Sequence, residues 1–581
     1  NSVGFSFAQE DRLISAKNSL REFLTQKLPI PYLSKVRAKV STYTLPDVGY
    51  KSIPQIQGAQ HRSPLVGHRV TTEGIVTAVN ISQWYPGGID MYIQSRWPDA
   101  LDETSEGLNV HFRDESLRFQ LGDYIKVTGT VYERLGSEQL GNTGLREITN
   151  FKIISHNNKL PEPVVLGLGG RMIPNHSIST YRGDLNLKPY LKLSDGIDFW
   201  ESLEGMRVQI HNPRVVGFRG GQEEFESTKP KSYLNLYVVA DGHIDISDQA
   251  TAKGGIIVDL PNKDLNPEII QIVSNHLTFP FDSSTVFNVG DLLDSTLVGV
   301  LGYEKNIFGN GEYSFMLPRE EEAEALTKFI KNKKTSLVPL PDKGVTRLEP
   351  TTDHLTIATF NLENLAGNQP NRIHEFAKAI QINLRCPDIL TLVEIQDDNG
   401  LDFLNGSTAA YTLKKLISMI ICPGSNYQAI NIDPVTHSEG GQPGGNIRVA
   451  FLYNAQRVGF QPRGNGDALS ETRVDDQGNL THNPGRVFPN SKAFKHTRRS
   501  LVAQFLFKGE KVFVIGNHFN SKLSDASYWS ATQPPKLESD SHRILLADGI
   551  NQFVQLIERG SPGARIAVDG DFNAILSYSS I

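Results

Sequence analysis

Four short apolar runs in the C-terminal part of the chain each end in side chains that bind metal or phosphate. The runs, with the polar residues that close them, are Ile357–Asn361, Ile389–Glu394, Val512–His518 and Ile566–Asn573. Nearly continuous apolar runs of this length are typical of strands that are buried on both faces. We therefore predict that the polar residues converge on one cleft at the ends of these strands.

The residue types at the run ends indicate a metal site. Glu394 and Asp571 are carboxylates and Asn361 is a carboxamide, which together make a set of hard oxygen ligands suited to Mg²⁺ or Mn²⁺. His518 adds an imidazole for acid–base chemistry or for a phosphate oxygen. Side chains alternate along a strand, so Asp571 and Asn573 share a side. The alternative is an ordinary polar turn at each end. One motif favours neither reading, whereas four in succession favour the site.

Residues 355–581 resemble the endonuclease/exonuclease/phosphatase (deoxyribonuclease I-like) superfamily, and most closely its large secreted bacterial nucleases with β domains ahead of the catalytic one. The matching motifs, in order, are Phe360–Leu365, Pro387–Ile389, Glu394–Asp397, Gly441–Val449, Asn517–Lys522, Gln533–Pro535, the helix that carries Arg543, and Gly570–Asn573. The resemblance implies an α+β fold of two packed mixed β-sheets flanked by helices over residues 350–581. It also implies metal-dependent hydrolysis of a phosphodiester, with Mg²⁺ or Mn²⁺, or with Ca²⁺ as a third option.

The resemblance also implies roles for individual residues of this chain. They are Asn361 and Glu394 for the metal; His518, Asp571 and Asn573 for catalysis; and Arg448, Asn517 and Lys522 for phosphate binding. Within the catalytic group, Asp571 and Asn573 would position the attacking water and the phosphate.

One family motif is missing from this sequence. The family pattern continues into a further aspartate and a Ser-Asp-His-like motif, but the chain stops at Ile581, shortly after Asn573. The resemblance therefore implies a C-terminally truncated fragment. We expect this fragment to cleave DNA poorly, because the missing acid–histidine pair protonates the leaving oxygen.

The residues ahead of the nuclease-like region are β-rich and contain a repeated pair of motifs. Leu65–Val70 recurs as Leu203–Val208, and Phe119–Asp123 recurs as Phe287–Asp291. The repetition predicts two all-β barrel domains of related topology, at 61–165 and 166–335. The first of them resembles the oligonucleotide-binding (OB) fold. Residues 1–60 read as a partly helical segment, with a helical pattern over Asp11–Lys27, and residues 328–346 read as a linker.

The predicted barrels contain aromatic residues that could stack on nucleic-acid bases. Those of the first barrel are Trp84, Tyr85, Tyr92 and Trp97, the last beside Arg96. The alternative for most of them is core packing, because barrel aromatics usually point inward.

Composition narrows the function classes. The chain has 581 residues and a formal net charge of -6, which indicates several domains and argues against a polycation that coats nucleic acid. A local basic strip, residues 486–522, has eight Lys/Arg against Glu510 alone and suits a polyanionic substrate, although a solvated loop would also be rich in lysine. The two cysteines, Cys386 and Cys422, could pair or could be free thiols.

Three functions follow from these observations. The first is a metal-dependent nuclease that acts on extracellular DNA, and on RNA as a further option. The second is a phosphomonoesterase or phospholipid phosphatase of the same superfamily. The third is a non-catalytic nucleic-acid-binding protein with a degenerate nuclease fold. The extracellular or periplasmic location rests on the family resemblance, and no sequence run approaches the ~20 apolar residues of a membrane span.

Overall fold

The computed structural model describes residues 46–574 apart from 80–87, 135–139, 223–231, 243–249, 252–253, 260–263, 274–287, 294, 306–310, 318–343, 401–405 and 442–443. Several sequence-based predictions lie outside the described residues. They are the helix over Asp11–Lys27, the stacking roles of Trp84 and Tyr85, Phe287 of the second motif, and most of the linker at 328–346.

The described strands follow one another along the whole chain. The first fourteen are β1 Asp47–Tyr50, β2 Arg69–Val79, β3 Ile89–Gln94, β4 Gly107–Phe112, β5 Tyr124–Glu133, β6 Thr143–Ser155, β7 Val164–Leu166, β8 Gly183–Asp184, β9 Arg207–His211, β10 Arg214–Gln222, β11 Ser232–Val239, β12 Ile270–Val273, β13 Thr296–Lys305 and β14 Gly311–Met316. The others are β15 Ile357–Leu365, β16 Ile389–Ile395, β17 Tyr427–Asn431, β18 Arg448–Asn454, β19 Gly459–Phe460, β20 Gly485–Arg486, β21 Leu501–Phe507, β22 Glu510–His518, β23 Thr532–Gln533 and β24 Arg565–Asp571.

The described α-helices are few. They are α1 Ile53–Gln57, α2 Gly196–Glu201, α3 Pro370–Ile382, α4 Ala410–Met419 and α5 Asp540–Gly560. Among the residues that the structure describes, no helix is long and apolar enough to cross a membrane.

The chain divides into two compact units. Residues 5–340 and 526–536 form one, which we call the β unit, and residues 1–4, 341–525 and 537–581 form the other, which we call the α+β unit. The β unit therefore takes in a short segment from the nuclease-like region, and that segment carries β23, which pairs with β8.

The first half of the β unit contains a closed five-stranded barrel. Its strands follow the order β2-β3-β4-β6-β5, and β5 pairs back with β2 to close the ring. β4 and β6 run parallel, and the other neighbours in the ring run antiparallel. Inward-facing aliphatic side chains fill the barrel, among them Val70, Val76, Ile93, Val110, Ile125, Val127 and Leu145. β1 adds to β2 in parallel.

The second half of the β unit is a seven-stranded sheet in the order β10-β11-β12-β14-β13-β9-β7. One face of it packs on α2 and the loops around that helix. This core includes Trp200, Leu203, Val208, Ile210, Leu236, Ile272, Leu301 and Phe315.

The repeated motifs hold equivalent places in the two halves. The first motif opens β2 in one half and β9 in the other, and the second motif precedes β5 and β13. In each half the glycine of the first motif donates its N–H to the strand that follows the second motif, Gly67 to Val131 (2.9 Å) and Gly205 to Leu301 (2.7 Å). Both strand pairs are antiparallel. The domain boundaries at 61–165 and 166–335 stay predictions.

The α+β unit has two mixed sheets with a shared core. One sheet has the order β15-β16-β18-β17 and the other has the order β19-β21-β22-β24, with β20 also pairing with β21. Each sheet contains one parallel pair, β15–β16 and β22–β24. Apolar side chains from both sheets form the layer between them, including Ile389, Val449, Phe451, Leu501, Phe505 and Val514.

Helices cover the outer face of each sheet. α3 packs Ile373, Ala377 and Ile380 in one core with β16. α5 packs its own apolar stripe, which includes Leu546 and Phe553, in a core with β21 and β22. The sequence predicts this helix over Ser541–Ile557, with Leu545 on the apolar stripe that covers the sheet. For Leu545 the prediction is wrong, because that side chain is exposed and its neighbour Leu546 is buried.

Arg543 lies near the start of α5, where the sequence allows a surface position, but its side chain is fully buried. Its guanidinium lies 3.5 Å from Asp525 and 3.3 Å from Asp540 and also donates to Ser539. These contacts offset the desolvation free energy of the buried guanidinium. The side chain thus fixes the start of α5 against the loop after β22.

Cys386 and Cys422 form a disulfide with their Cα atoms 6.0 Å apart. The bond links the loop after α3 to the loop after α4, and both cysteines lie at the apolar core between these helices and their sheet. Of the two arrangements that the sequence leaves open, the structure has the paired one.

Candidate metal and phosphate site

The two parallel strand pairs bring the predicted site residues to one end of the sheets. In β15–β16, Asn361 is the register partner of Val393, so it neighbours Glu394 across the pair. In β22–β24, His518 and Asp571 are direct register partners at the last position of each strand. Parallel strands present their carboxyl ends at the same edge. Four separate motifs therefore reach one place.

A local irregularity in β16 directs the Glu394 side chain toward the site at the strand ends. Its φ is +59°, in the left-handed region that side-chain-bearing residues rarely adopt, and the register of β16 against β18 shifts between Leu392 and Ile395. Such shifts bend a strand and redirect a side chain, and they recur at active sites.

Two carboxylates and an imidazole form a compact cluster. One ligand atom each from Glu394, His518 and Asp571 lies within 4.8 Å of the others. Asn361 donates from Nδ2 to both carboxylates, at 3.0 Å to Glu394 Oε1 and 3.1 Å to Asp571 Oδ2, and its Oδ1 accepts the N–H of Glu363 at 2.9 Å. The amide nitrogen of Asn361, rather than its oxygen, therefore faces the carboxylates.

The electrostatics of the cluster suit a cation. Burial raises the pKa of Glu394, and the negative charge of Asp571 adds to the increase, while Asn361 and Arg498 oppose it. Two carboxylates that face each other in a buried site repel, and a divalent cation between them removes that repulsion. Oxygen ligands of this kind are those that Mg²⁺, Mn²⁺ and Ca²⁺ take. The residues present therefore fit such an ion.

Arg498 fixes the state of His518. Its Nε donates to His518 Nδ1 at 3.2 Å, so the ring proton is assigned to Nε2, which lies 3.5 Å from Glu394 Oε1. Burial and then the charge of Arg498 lower the pKa of His518 well below its usual value. A second guanidinium nitrogen of Arg498 donates to the carbonyl of Phe519 at 2.7 Å. The imidazole is therefore neutral and presents an N–H to the cluster.

Asn573 and Lys522 lie beside the cluster. The Asn573 N–H donates to Asp571 Oδ1 at 2.9 Å, and its Nδ2 donates to the carbonyl of Phe519 at 3.1 Å. Lys522 is half-buried, and its pKa is lowered by burial and by Arg543, while the charge of Asp571 is among those that oppose the decrease. Asn573 thus orients Asp571, and Lys522 places a cation near it.

Arg448 and Asn517 have other partners. Arg448 is fully buried at the start of β18, where it pairs with Asp433 and donates to the carbonyl of Asn446 at 2.9 Å. Asn517 accepts from Ser500 Oγ at 2.7 Å and donates to the carbonyls of Ile515 and Asp569. Both side chains brace the strands, and these contacts give no support to the phosphate-binding roles expected of them.

Two residues at the site were not foreseen from the sequence. One is Arg498, which precedes β21 in the basic strip. The other is Asp569, which accepts both contacts of Thr391 Oγ1 (2.8 and 2.9 Å) between the two sheets, and whose pKa is raised by burial to about 7. Asp569 lies two residues before Asp571 on β24, and this period-2 spacing could have indicated from the sequence that Asp569 belongs to the site. For Arg498 no local signal was available, because its approach to His518 depends on the pairing of β21 with β22.

The basic strip at 486–522 is only partly a surface. Arg486, Arg498 and Arg499 are buried, and Arg486 and Arg499 both pair with Glu439. Lys492 and Lys495 are exposed. Part of the positive charge thus holds the loops around the site, and the rest faces solvent.

Comparisons with known proteins give partial matches. A family model described as a domain of unknown function (DUF8508) matches residues 165–321. Among curated protein sequences, none matches this chain significantly.

Several solved structures resemble part of the chain. Truncated TDP2 from Caenorhabditis elegans is 18% identical, with a TM-score of 0.24, over 38% of this chain and 63% of that one. An endonuclease/exonuclease/phosphatase family protein from Leptotrichia buccalis is 13% identical, with a TM-score of 0.24, over 38% and 67%. The beta toxin of Staphylococcus aureus is 14% identical, with a TM-score of 0.25, over 39% and 68%. The match thus spans less than two thirds of the TDP2 chain, and likenesses at such TM-scores do not establish a family.

Proposed function

We propose that the α+β unit is a metal-dependent phosphodiester hydrolase of the endonuclease/exonuclease/phosphatase superfamily and that its substrate is nucleic acid. The observation that carries the proposal is the meeting of Glu394, His518 and Asp571 at the ends of two parallel strand pairs. The motif order over residues 355–581 supports the same assignment.

Each residue has a role that follows from its contacts. Glu394 and Asp571 would hold the cation, which when bound neutralises negative charge that develops on the phosphate. His518 presents its Nε2–H to a non-bridging oxygen, and Arg498 holds the ring in that tautomer. Asn361 bridges the two carboxylates by donating a hydrogen bond from Nδ2 to each of them. Asp571, with a carboxylate oxygen in the cleft, accepts the proton of the attacking water.

The β unit supplies the nucleic-acid-binding part of the proposal. The ring order of its closed barrel, with the third and fifth strands parallel, is the strand order of an OB fold. A groove of about 620 Å³ at the end of β5 is lined by Arg62 and Arg146 but also by Glu133, Glu147 and Asp184, and the Tyr132 ring beside Arg146 is buried. The strand order of the barrel, rather than this groove, therefore supports nucleic-acid binding.

Extracellular DNA is the substrate that we propose. The disulfide between Cys386 and Cys422 supports an oxidising compartment, since such bonds persist in secreted and periplasmic proteins. The family resemblance points to the same place. RNA is the competing substrate, and a parallel assay on RNA decides between them.

Plasmid nicking tests this function, in a protein that also carries the Ser-Asp-His-like motif expected from the family resemblance. We expect nicking with Mg²⁺ or Mn²⁺, and almost none for Glu394→Gln or Asp571→Asn. His518→Ala should lose about 10²–10³-fold, the usual loss for one charge-stabilising donor.

Two exposed acids provide matched controls. Glu375→Gln on α3 and Asp548→Asn on α5 change the same chemical groups away from the cluster and should nick like the wild type. Equal nicking by Asp571→Asn and the wild type would contradict the proposal.

A further inference from the structure

The ligand face expected of an OB barrel is covered in this protein. Oligonucleotides bind OB folds on the face of the second and third strands, which here are β3 and β4. Every residue of both strands is buried. The second half of the β unit covers them, because a Cβ at Gly107 of β4 would overlap the backbone of Gly205, and Gln94 of β3 accepts the N–H of Arg207 at 2.9 Å. A strand of nucleic acid has no access to this face.

A different side of the barrel remains open. Along β5, Tyr124 and Lys126 point outward, and Lys126 is the register partner of Glu73 on β2 and of Lys152 on β6. Direct register partners project from the same face of a sheet. The exposed loop after β3 adds Trp97 at the edge of this face.

Aromatic rings and cations alternate across this open side, which we call the aromatic–cation face (Tyr50, Glu73, Arg96, Trp97, Tyr124, Lys126 and Lys152). Successive contacts join six of its seven members: Trp97 ring to Arg96 (5.3 Å), Arg96 to Tyr124 ring (5.6 Å), Tyr124 hydroxyl to Glu73 (2.7 Å), Glu73 to Lys126 (3.0 Å), and Lys126 to Tyr50 ring (5.8 Å). Lys152 belongs to the face as the register partner of Lys126.

The two end rings are available to a ligand. Trp97 is 76% exposed and Tyr50 is 57% exposed, which is unusual for large aromatic side chains in a soluble domain. The Trp97 loop is held in place, because Ser95 donates to the carbonyl of Trp97 at 3.2 Å and Glu106 accepts the N–H of Asp99 at 2.6 Å. An exposed, pre-positioned ring beside a guanidinium is a stacking platform.

The charges of the face favour a polyanion. Within the face, Arg96, Lys126 and Lys152 contribute three cations against Glu73, while Asp47, Asp99, Asp102 and Glu103 lie exposed near the two end rings. Phosphates would meet the cations while unstacked bases meet the end rings. A duplex keeps its bases stacked and cannot use the rings in this way.

We propose that the aromatic–cation face binds single-stranded nucleic acid, in place of the covered β3–β4 face. This inference rests on the proposed function for its choice of ligand. The face would hold an unpaired strand next to the barrel, so that the β unit prefers single-stranded over double-stranded nucleic acid.

Fluorescence anisotropy with a fluorescein-labelled 20-nucleotide oligothymidylate, in EDTA to stop cleavage, tests the face. Trp97→Ala should weaken binding about 5- to 150-fold, the range for loss of one stacking side chain. Lys126→Gln should lower the slope of log affinity against log salt by about 0.7, the value for one phosphate contact on a single strand. A duplex of equal length should bind more weakly and should not respond to Trp97→Ala.

Tyr190→Ala is the matched control, since Tyr190 is a 65% exposed aromatic of the β unit outside this face. It should bind the oligonucleotide like the wild type. Circular dichroism melting checks that Trp97→Ala is folded, and Arg96→Gln, which keeps the ring, should weaken binding independently.

Unchanged affinity in both folded variants, Trp97→Ala and Arg96→Gln, would overturn the inference. Plasmid nicking by the same proteins separates this failure from failure of the proposed function. If the wild type nicks, Asp571→Asn does not, and Trp97→Ala binds normally, the hydrolase stands and the face is refuted. If no protein nicks but oligonucleotide binding depends on Trp97, the face stands and the hydrolase is refuted.

Discussion

A buried charge cluster in the β unit predicts that its stability falls as pH rises. His61 is buried between two acids, with Nε2 2.6 Å from Asp198 and Nδ1 3.2 Å from Glu201. Burial by itself would lower the pKa of His61, but the hydrogen bonds to both carboxylates outweigh it and raise the pKa to about 9. Folding therefore favours the protonated ring.

The sign and size of the effect follow from this pKa. A group whose pKa rises on folding stabilises fully below its unfolded value of 6.5, and its contribution is lost as pH rises through 9. At 1.36 kcal/mol for each pKa unit, the difference is worth about 3 kcal/mol. Glu133 acts in the same direction, because burial raises its pKa from 4.5 to about 8 and folding favours its neutral form.

Urea unfolding followed by tryptophan fluorescence measures this effect. All four tryptophans of the chain belong to the β unit, so the signal reports that unit. The free energy of unfolding should be lower at pH 9 than at pH 6 by about 3 kcal/mol or more. His61→Gln should be less stable at pH 6 and should keep only the pH dependence of the buried acids whose pKa is raised, Glu133, Glu204 and Glu268. A pH dependence that is identical in His61→Gln and the wild type would refute the reasoning.

Three further predictions concern the α+β unit. Reduction of Cys386–Cys422, which closes a loop with a sequence separation of 36, should lower its free energy of unfolding by about 3–4 kcal/mol in denaturation followed by circular dichroism, and no change would contradict this. Gly516→Ala should lower the free energy of unfolding by about 1–3 kcal/mol, because its Cβ would lie 2.8 Å from Thr391 and Val449 between the sheets. The control Gly549→Ala in α5 places its Cβ in open space and should stabilise the protein slightly. Equal effects of the two variants would count against the packing argument. Arg498→Lys should lower nicking about 10–100-fold and change the ¹⁵N shifts of His518 toward the other tautomer, and unchanged shifts would rule out its positioning role.

Strand ends and helix positions followed from local sequence. The runs before Asn361, Glu394, His518 and Asp571 are all strands. Those before Glu394 and His518 are buried on both faces, as expected, whereas that expectation is wrong for β15 and β24, which end their sheets and leave Thr359 and Val568 exposed. The apolar stripe of Ile373, Phe376, Ala377 and Ile380 predicts a helix over Arg372–Leu384, and α3 lies at Pro370–Ile382. Apolar spacing decides such features locally, so a single sequence reveals them.

Which buried side chains contact each other did not follow from the sequence. Arg448 could equally face a ligand or an internal acid, and only the fold brings Asp433 to it. Arg498 reaches His518 because β21 and β22 pair, which no local pattern shows. The covered β3–β4 face likewise depends on packing between Gly107 and Gly205, two residues far apart in the chain.

Isothermal titration calorimetry with Mn²⁺ tests most directly whether the cluster is a metal centre. The account predicts that the wild type binds Mn²⁺, that Glu394→Gln and Asp571→Asn each lose most of this binding, and that the exposed control Glu375→Gln keeps it. This readout is independent of substrate and turnover. Wild-type Mn²⁺ affinity in both Glu394→Gln and Asp571→Asn would contradict the account.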